Sequence, residues 1–134
     1  MKKLLFILIF TVAFDSIGQT TPDSSLKPKD VAILLYNGVE LLDFAGPGEV
    51  FEQAEINGSS AFNVYTVAVD SLEIISQGFL KITADYMIDN SPLPDILVIP
   101  GGNSLSQVNN EKLISWIARV NKKAVYMLSV CNGV

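Results

Sequence analysis

The sequence predicts an α/β layer fold built on a largely parallel sheet. Two observations carry this. Short apolar runs alternate with helical patterns in the order strand, helix, strand, hairpin, strand, helix, strand, which is the order of parallel-sheet architectures. The runs are also continuously apolar, as expected of strands buried on both faces, so helices should cover both sides of the sheet.

The elements follow in chain order. Asp30 to Tyr36, "DVAILLY", is a run of buried-strand type. Pro47 to about Ile56 reads as a helix: Pro47 suits the first helical position, Glu49 and Glu52 favour its positive end, and Val50, Phe51 and Ala54 form an apolar face. "AFNVYTVAVD" (61–70) alternates and is rich in β-branched and aromatic residues, so it is a strand. "LEIIS" and "FLKITAD", separated by Gln77-Gly78, read as a hairpin, and "DILVIP" (95–100) as another buried strand. Glu111 to Asn121 places Leu113, Ile114, Trp116, Ile117 and Val120 at helical spacing with one apolar face, and "AVYMLSV" (124–130) is the last strand.

Ahead of these elements, Lys2 and Lys3 precede an apolar stretch from Leu4 to Phe14, and Ser16-Ile17-Gly18 supplies small residues before Gln19. This is the layout of a secretory signal peptide. A bilayer span needs about 20 apolar residues, so the stretch is too short for a stable anchor. The reading is a signal peptide over 1–18, a flexible polar leader over 19–29 and one domain over 30–134, exported to the periplasm or outside the cell.

The formal charge of −5 becomes more negative once Lys2, Lys3 and Asp15 are removed. An acidic chain without a basic run argues against nucleic acid or anionic membrane as a partner. One cysteine makes no internal disulfide. The absence of histidine excludes a His-ligated metal site, and any Cys-His or Ser-His pair drawn from these residues. No metal and no cofactor is implied.

In open α/β sheets, sites form beyond the carboxyl ends of the strands. Three such ends are rich in glycine: "NGVELLDFAGP", "IPGGNS" and "SVCNG". Cys131, the lone thiol, ends a strand with Gly133 close behind, as a nucleophile on a sharp strand-to-helix turn requires. A buried structural cysteine is the other reading. Asp43 lies among Leu41, Leu42 and Phe44, and a carboxylate beside a thiol can take its proton. Capping of loop N–H groups is the alternative. Glu40 is a weaker acid candidate. Gly101-Gly102 and the amide of Asn132 could donate to a developing oxyanion, although a Gly-Gly after a strand is also an ordinary turn.

"VAILLYNGVELLDFAGPGEVFEQA", "DILVIPGG" and "SVCNGV", in this order and spacing, resemble the DJ-1/PfpI superfamily, also called class I glutamine amidotransferase-like, from about Asp30 to Val134. The resemblance implies a flavodoxin-like sandwich with Cys131 as nucleophile on its elbow and Asp43 as acidic partner. It further implies the Gly102 and Asn132 amides as the oxyanion region, with Gly101 and Gly133 supporting the pocket. The "LLDFAGPGEVF" form looks most like the branch of isonitrile hydratases and of ligand-sensing domains fused to AraC-type regulators. Members commonly dimerise, so a homodimer is expected, with a small molecule as substrate or ligand. Asn132 stands where the protease and deglycase-like branch often has histidine, which argues against peptidase activity. Family members continue well beyond the elbow, so only the N-terminal part of the full fold is expected here.

Three functions follow as expectations. The first is an exported cysteine-dependent hydrolase or hydratase acting on a small molecule. The second is a non-catalytic small-molecule-binding domain. The third is a redox-sensing or protein-quality protein in which Cys131 is oxidised.

Overall fold

A computed structural model describes residues 27–133. The expected signal peptide and most of the leader lie outside these residues. The element order is β1 (Lys29–Leu35), α1 (Leu41–Glu52), β2 (Glu55–Ile56), β3 (Ser59–Ser60), β4 (Phe62–Ala68), β5 (Glu73–Ser76), β6 (Leu80–Thr83), β7 (Tyr86–Met87), β8 (Ile96–Ile99), α2 (Glu111–Asn121) and β9 (Tyr126–Ser129). A short 3-10 turn, Ser104–Ser106, lies between β8 and α2.

Five strands form one parallel sheet in the order β7-β4-β1-β8-β9. β1 is central, and the chain builds outward through β4 and β7 before crossing back to β8. The carboxyl ends of β1 and β8 therefore flank the point where strand order reverses, where α/β sheets bind ligands. Burial explains the central position: Val31, Ala32, Ile33, Leu34, Leu35 and Tyr36 are all buried, as a strand covered on both faces requires.

Helices lie on opposite faces. On α1, Phe51 meets Phe62 of β4 edge-to-face at 4.9 Å. Gly48 lets the same helix close on β1, since a Cβ there would stand 3.3 Å from Ile33 Cδ1. On α2, Leu113, Trp116 and Val120 are buried. That helix shares a cavity with Leu34 of β1 and Met127 of β9, side chains of the other face. β9 forms one edge of the described sheet and leaves Tyr126 and Leu128 exposed.

α1 departs from expectation. It begins at Leu41, not at Pro47, and carries Pro47 inside it. Glu40, the residue before it, makes no side-chain capping bond. Its N–H instead donates to the Gly101 carbonyl at 2.9 Å. The helix start is thus fixed by a tertiary contact. The Asp43 carbonyl loses the bond that residue 47 would otherwise give it, a defect worth about 3 kcal/mol in an isolated helix, offset here by packing of Phe44 and Phe51 on the core. α2 runs over the residues its periodicity predicts, and Asn110 caps it by accepting from the Leu113 N–H at 3.2 Å.

The two antiparallel hairpins turn on left-handed residues. Asn57 and Gly58 have φ of 53° and 77°, and Gln77 and Gly78 of 51° and 75°, the handedness that matches strand twist. Asn57-Gly58 links β2 to β3, where the sequence reads only a helix end. The β5–β6 hairpin braces the loop after β1. The Ser76 hydroxyl donates to the Val39 carbonyl at 2.7 Å, and the Gly38 N–H donates to the Ile75 carbonyl at 2.8 Å.

Candidate active site

Three segments converge at the switch point: the loop 37–40 with the first turn of α1, the turn 100–103 after β8, and the turn 130–133 after β9. Val39 and Gly102 form an isolated antiparallel bridge that ties the first two together. The Val130 N–H donates to the Ile99 carbonyl at 3.0 Å and ties in the third.

Cys131 is exposed and has φ of 57°. A non-glycine residue in the left-handed region is uncommon and costs roughly 1–2 kcal/mol. Such strain clusters where a side chain must be presented. Behind it, a Cβ on Gly133 would stand 2.0 Å from the Ile99 carbonyl oxygen, so only glycine lets the turn close this tightly.

Asp43 sits in the first turn of α1, where the helix dipole favours a carboxylate. Its Oδ2 accepts the Gly101 N–H at 3.1 Å. A Cβ on Gly101 would stand 2.9 Å from that oxygen, 2.2 Å from Asn132 Oδ1 and 2.9 Å from the Asn132 backbone nitrogen. Asp43, Gly101 and Asn132 therefore pack around one point, one residue from the thiol.

Gly102 has φ of 116° and is closed on one flank by Gly38 O and Glu40 N. Its N–H donates to Asn132 Oδ1 at 2.9 Å, and its carbonyl accepts from Asn132 Nδ2 at 3.2 Å. The side chain of Asn132, rather than its backbone alone, thus engages the glycine turn. Glu40 instead accepts a hydrogen bond from the Gln77 carboxamide at the surface.

Tyr36 is a member of this site that the sequence reading passed over. It is buried at the end of β1, and its hydroxyl donates to the Pro100 carbonyl at 2.9 Å. Burial first, then the negative charges of Asp43 and Cys131, push its phenol up to about 12. Those charges act on it because both residues lie close by. The available signal was a lone hydroxyl ending an aliphatic strand, since a buried tyrosine hydroxyl needs a partner.

A cavity of about 540 Å³ lies behind the site between α2 and the sheet, lined by Leu34, Tyr36, Ile99, Leu113, Ile117 and Met127 among others. It touches Gly133 and Pro100, but neither Cys131 nor Asp43 lines it. Among the described residues there is no cluster of metal-ligating side chains, and no helix is long and apolar enough to cross a membrane.

The DJ-1/PfpI family profile matches residues 29–134. An uncharacterized protein in the cpoL 5′ region of Streptomyces lividans is 29% identical over 107 residues, covering 79% of this chain and 75% of that protein. The HTH-type transcriptional regulator GbdR of Pseudomonas aeruginosa is 21% identical over 113 residues, covering 84% of this chain and 31% of the regulator. Among solved structures, a THiJ/PfpI family protein from Pseudomonas syringae superposes with a TM-score of 0.70 at 24% identity, covering 85% of this chain and 48% of that one. A DJ-1 superfamily protein from Salmonella typhimurium gives 0.68 at 23% identity, covering 78% and 56%. The chain thus spans about half the length of these two solved structures. With the parallel sheet and its glycine-lined switch point, the match over residues 29–134 shows that this chain belongs to the DJ-1/PfpI family.

Proposed function

We propose that this chain carries the nucleophile, Cys131, and its acid–base partner, Asp43, of an exported, cysteine-dependent hydratase or hydrolase of the isonitrile hydratase type. The observation that carries the reading is the strained presentation of Cys131 at φ 57° beside a glycine turn that also holds Asp43. In an isonitrile hydration, the sulfur would form a bond to the terminal carbon of the substrate. The proton given up by the thiol would pass through Asp43 to that carbon. Water would then add across the resulting C=N bond, oxygen to carbon and a proton to nitrogen. The C=O bond would form as the S–C bond breaks, and the hydroxyl proton would return to the sulfur. The net change is addition of one water to give a formamide. With Oδ2 held by Gly101, Oδ1 of Asp43 is the oxygen assigned to the proton. The N–H groups of Gly102 and Asn132 are assigned to developing negative charge. A homodimer is part of the same reading.

Similarity to a transcriptional regulator favours a second reading, a sensing domain that binds a small molecule without turning it over. Mass spectrometry of the protein incubated with an isonitrile separates the two. The enzyme reading expects formamide release and a transient adduct on Cys131 with the added mass of the substrate. Saturable binding with neither adduct nor product would favour the sensor.

A further inference from the structure

Gly102 presents an unusual pair of groups. In its bridge with Val39, the flanking hydrogen bonds run from Glu40 N–H to Gly101 O at 2.9 Å and from Asn103 N–H to Gly38 O at 3.0 Å. This is the non-hydrogen-bonded position of an antiparallel pair, so the N–H and C=O of Gly102 itself point away from the loop 37–40. They form a donor and an acceptor on one edge, the arrangement an edge strand offers a partner. In the structure a carboxamide fills this edge: Asn132 Oδ1 accepts the N–H at 2.9 Å and Nδ2 donates to the C=O at 3.2 Å. The opposite flank is closed by Gly38 O and Glu40 N, so a ligand reaches Gly102 from the side Asn132 occupies. Asn132 is exposed, and turning its side chain into water exchanges these hydrogen bonds for others at small net cost.

We propose that the Gly102 edge is a seat for a planar carboxamide, and that Asn132, which fills it at rest, is the specificity-determining gate. The inference rests on the reading of Cys131, the preceding residue, as the nucleophile. The ligand class follows from the donor and acceptor order. A primary carboxamide, or an amide with its oxygen and N–H on the same side, satisfies both groups. A carboxylate satisfies the N–H only and sets its charge against the Gly102 carbonyl.

Cys131 is the sole thiol, so alkylation reads the seat directly. Iodoacetamide and iodoacetate react alike: the thiolate sulfur bonds to the CH₂ carbon, the C–I bond breaks, and iodide leaves with the electron pair. They differ in carrying a carboxamide or a carboxylate. The rate ratio of the two reagents, divided by the same ratio for the urea-unfolded chain, is expected to rise on the order of tenfold from wild type to Asn132→Ala, about one hydrogen bond's worth. An unchanged normalised ratio overturns the proposal. On the unaltered protein, formamide is expected to shift the Gly102 amide resonance at lower concentration than formate does, and a failure to shift with formamide overturns it even if the variant does not fold. If folded wild type alkylates no faster than the unfolded chain, the nucleophile reading suffers instead, while the ratio and the resonance still decide the seat.

Discussion

Asp43 Oδ2 and the Gly101 N–H meet at 3.1 Å, joining the first turn of α1 to the turn after β8 across 58 residues of sequence. The bond fixes one carboxylate oxygen and orients the other. Asp43→Asn keeps an acceptor for Gly101, so it should unfold in urea within about 1 kcal/mol of wild type. Asp43→Ala leaves that N–H unpartnered and should cost about 1–3 kcal/mol. Equal losses for the two would mean that the contact is not made in solution.

The glycines should divide by what a methyl group meets. Gly133→Ala places a Cβ 2.0 Å from the Ile99 carbonyl, and Gly101→Ala places one 2.9 Å from the Asn132 backbone nitrogen. Each should destabilise by about 1–3 kcal/mol or more. Gly46 lies within α1 with nothing inside 4 Å of its added Cβ, so Gly46→Ala should stabilise by roughly 0.5–1 kcal/mol. Urea midpoints of the three variants test the ordering.

Gly101 and Gly133 were legible as turn positions in the sequence, because each closely follows an apolar strand. The extent of α2 was legible too, since its apolar residues from Leu113 to Val120 recur at helical spacing. The start of α1 was not. Its signals, Pro47 and no capping residue at Glu40, point six residues too late, and the bond that overrides them comes from Gly101. The Asn132 side chain escaped for the same reason, as its partner lies 30 residues away. Local chemistry writes local structure, and the site is made of non-local bonds.

Backbone strain at Cys131 should be measurable. Cys131→Gly relieves the left-handed conformation while Cys131→Ala keeps it, so the glycine variant should be the more stable of the two by about 1 kcal/mol. Denaturant unfolding of both, matched for m-value, checks this. An alanine variant equal to or more stable than the glycine variant would remove the strain from the account.

Tyr36 gives the site an alkaline signature. Its folded pKa is about 12 against 10.0 for an ordinary tyrosine. The folded state therefore holds the proton more tightly, and the resulting stability is complete below pH 10 and is lost as pH rises toward 12. Tyr65, raised by burial and by neighbouring acids, adds to the same fall. Thermal melts between pH 9 and 12 should show a shallower decline for Tyr36→Phe than for wild type. That variant should also lose about 1 kcal/mol at neutral pH with the Pro100 bond. An identical alkaline slope in both proteins would contradict the assignment.

In the proposed chemistry Cys131 attacks and Asp43 moves the proton. Isonitrile conversion to formamide by wild type, Cys131→Ser and Asp43→Asn, followed by NMR, tests it most directly. Turnover is expected for wild type, none detectable for Cys131→Ser, and a loss of about 10²–10⁴-fold for Asp43→Asn, the usual worth of a positioned acid–base group. Turnover that survives Cys131→Ser would contradict it.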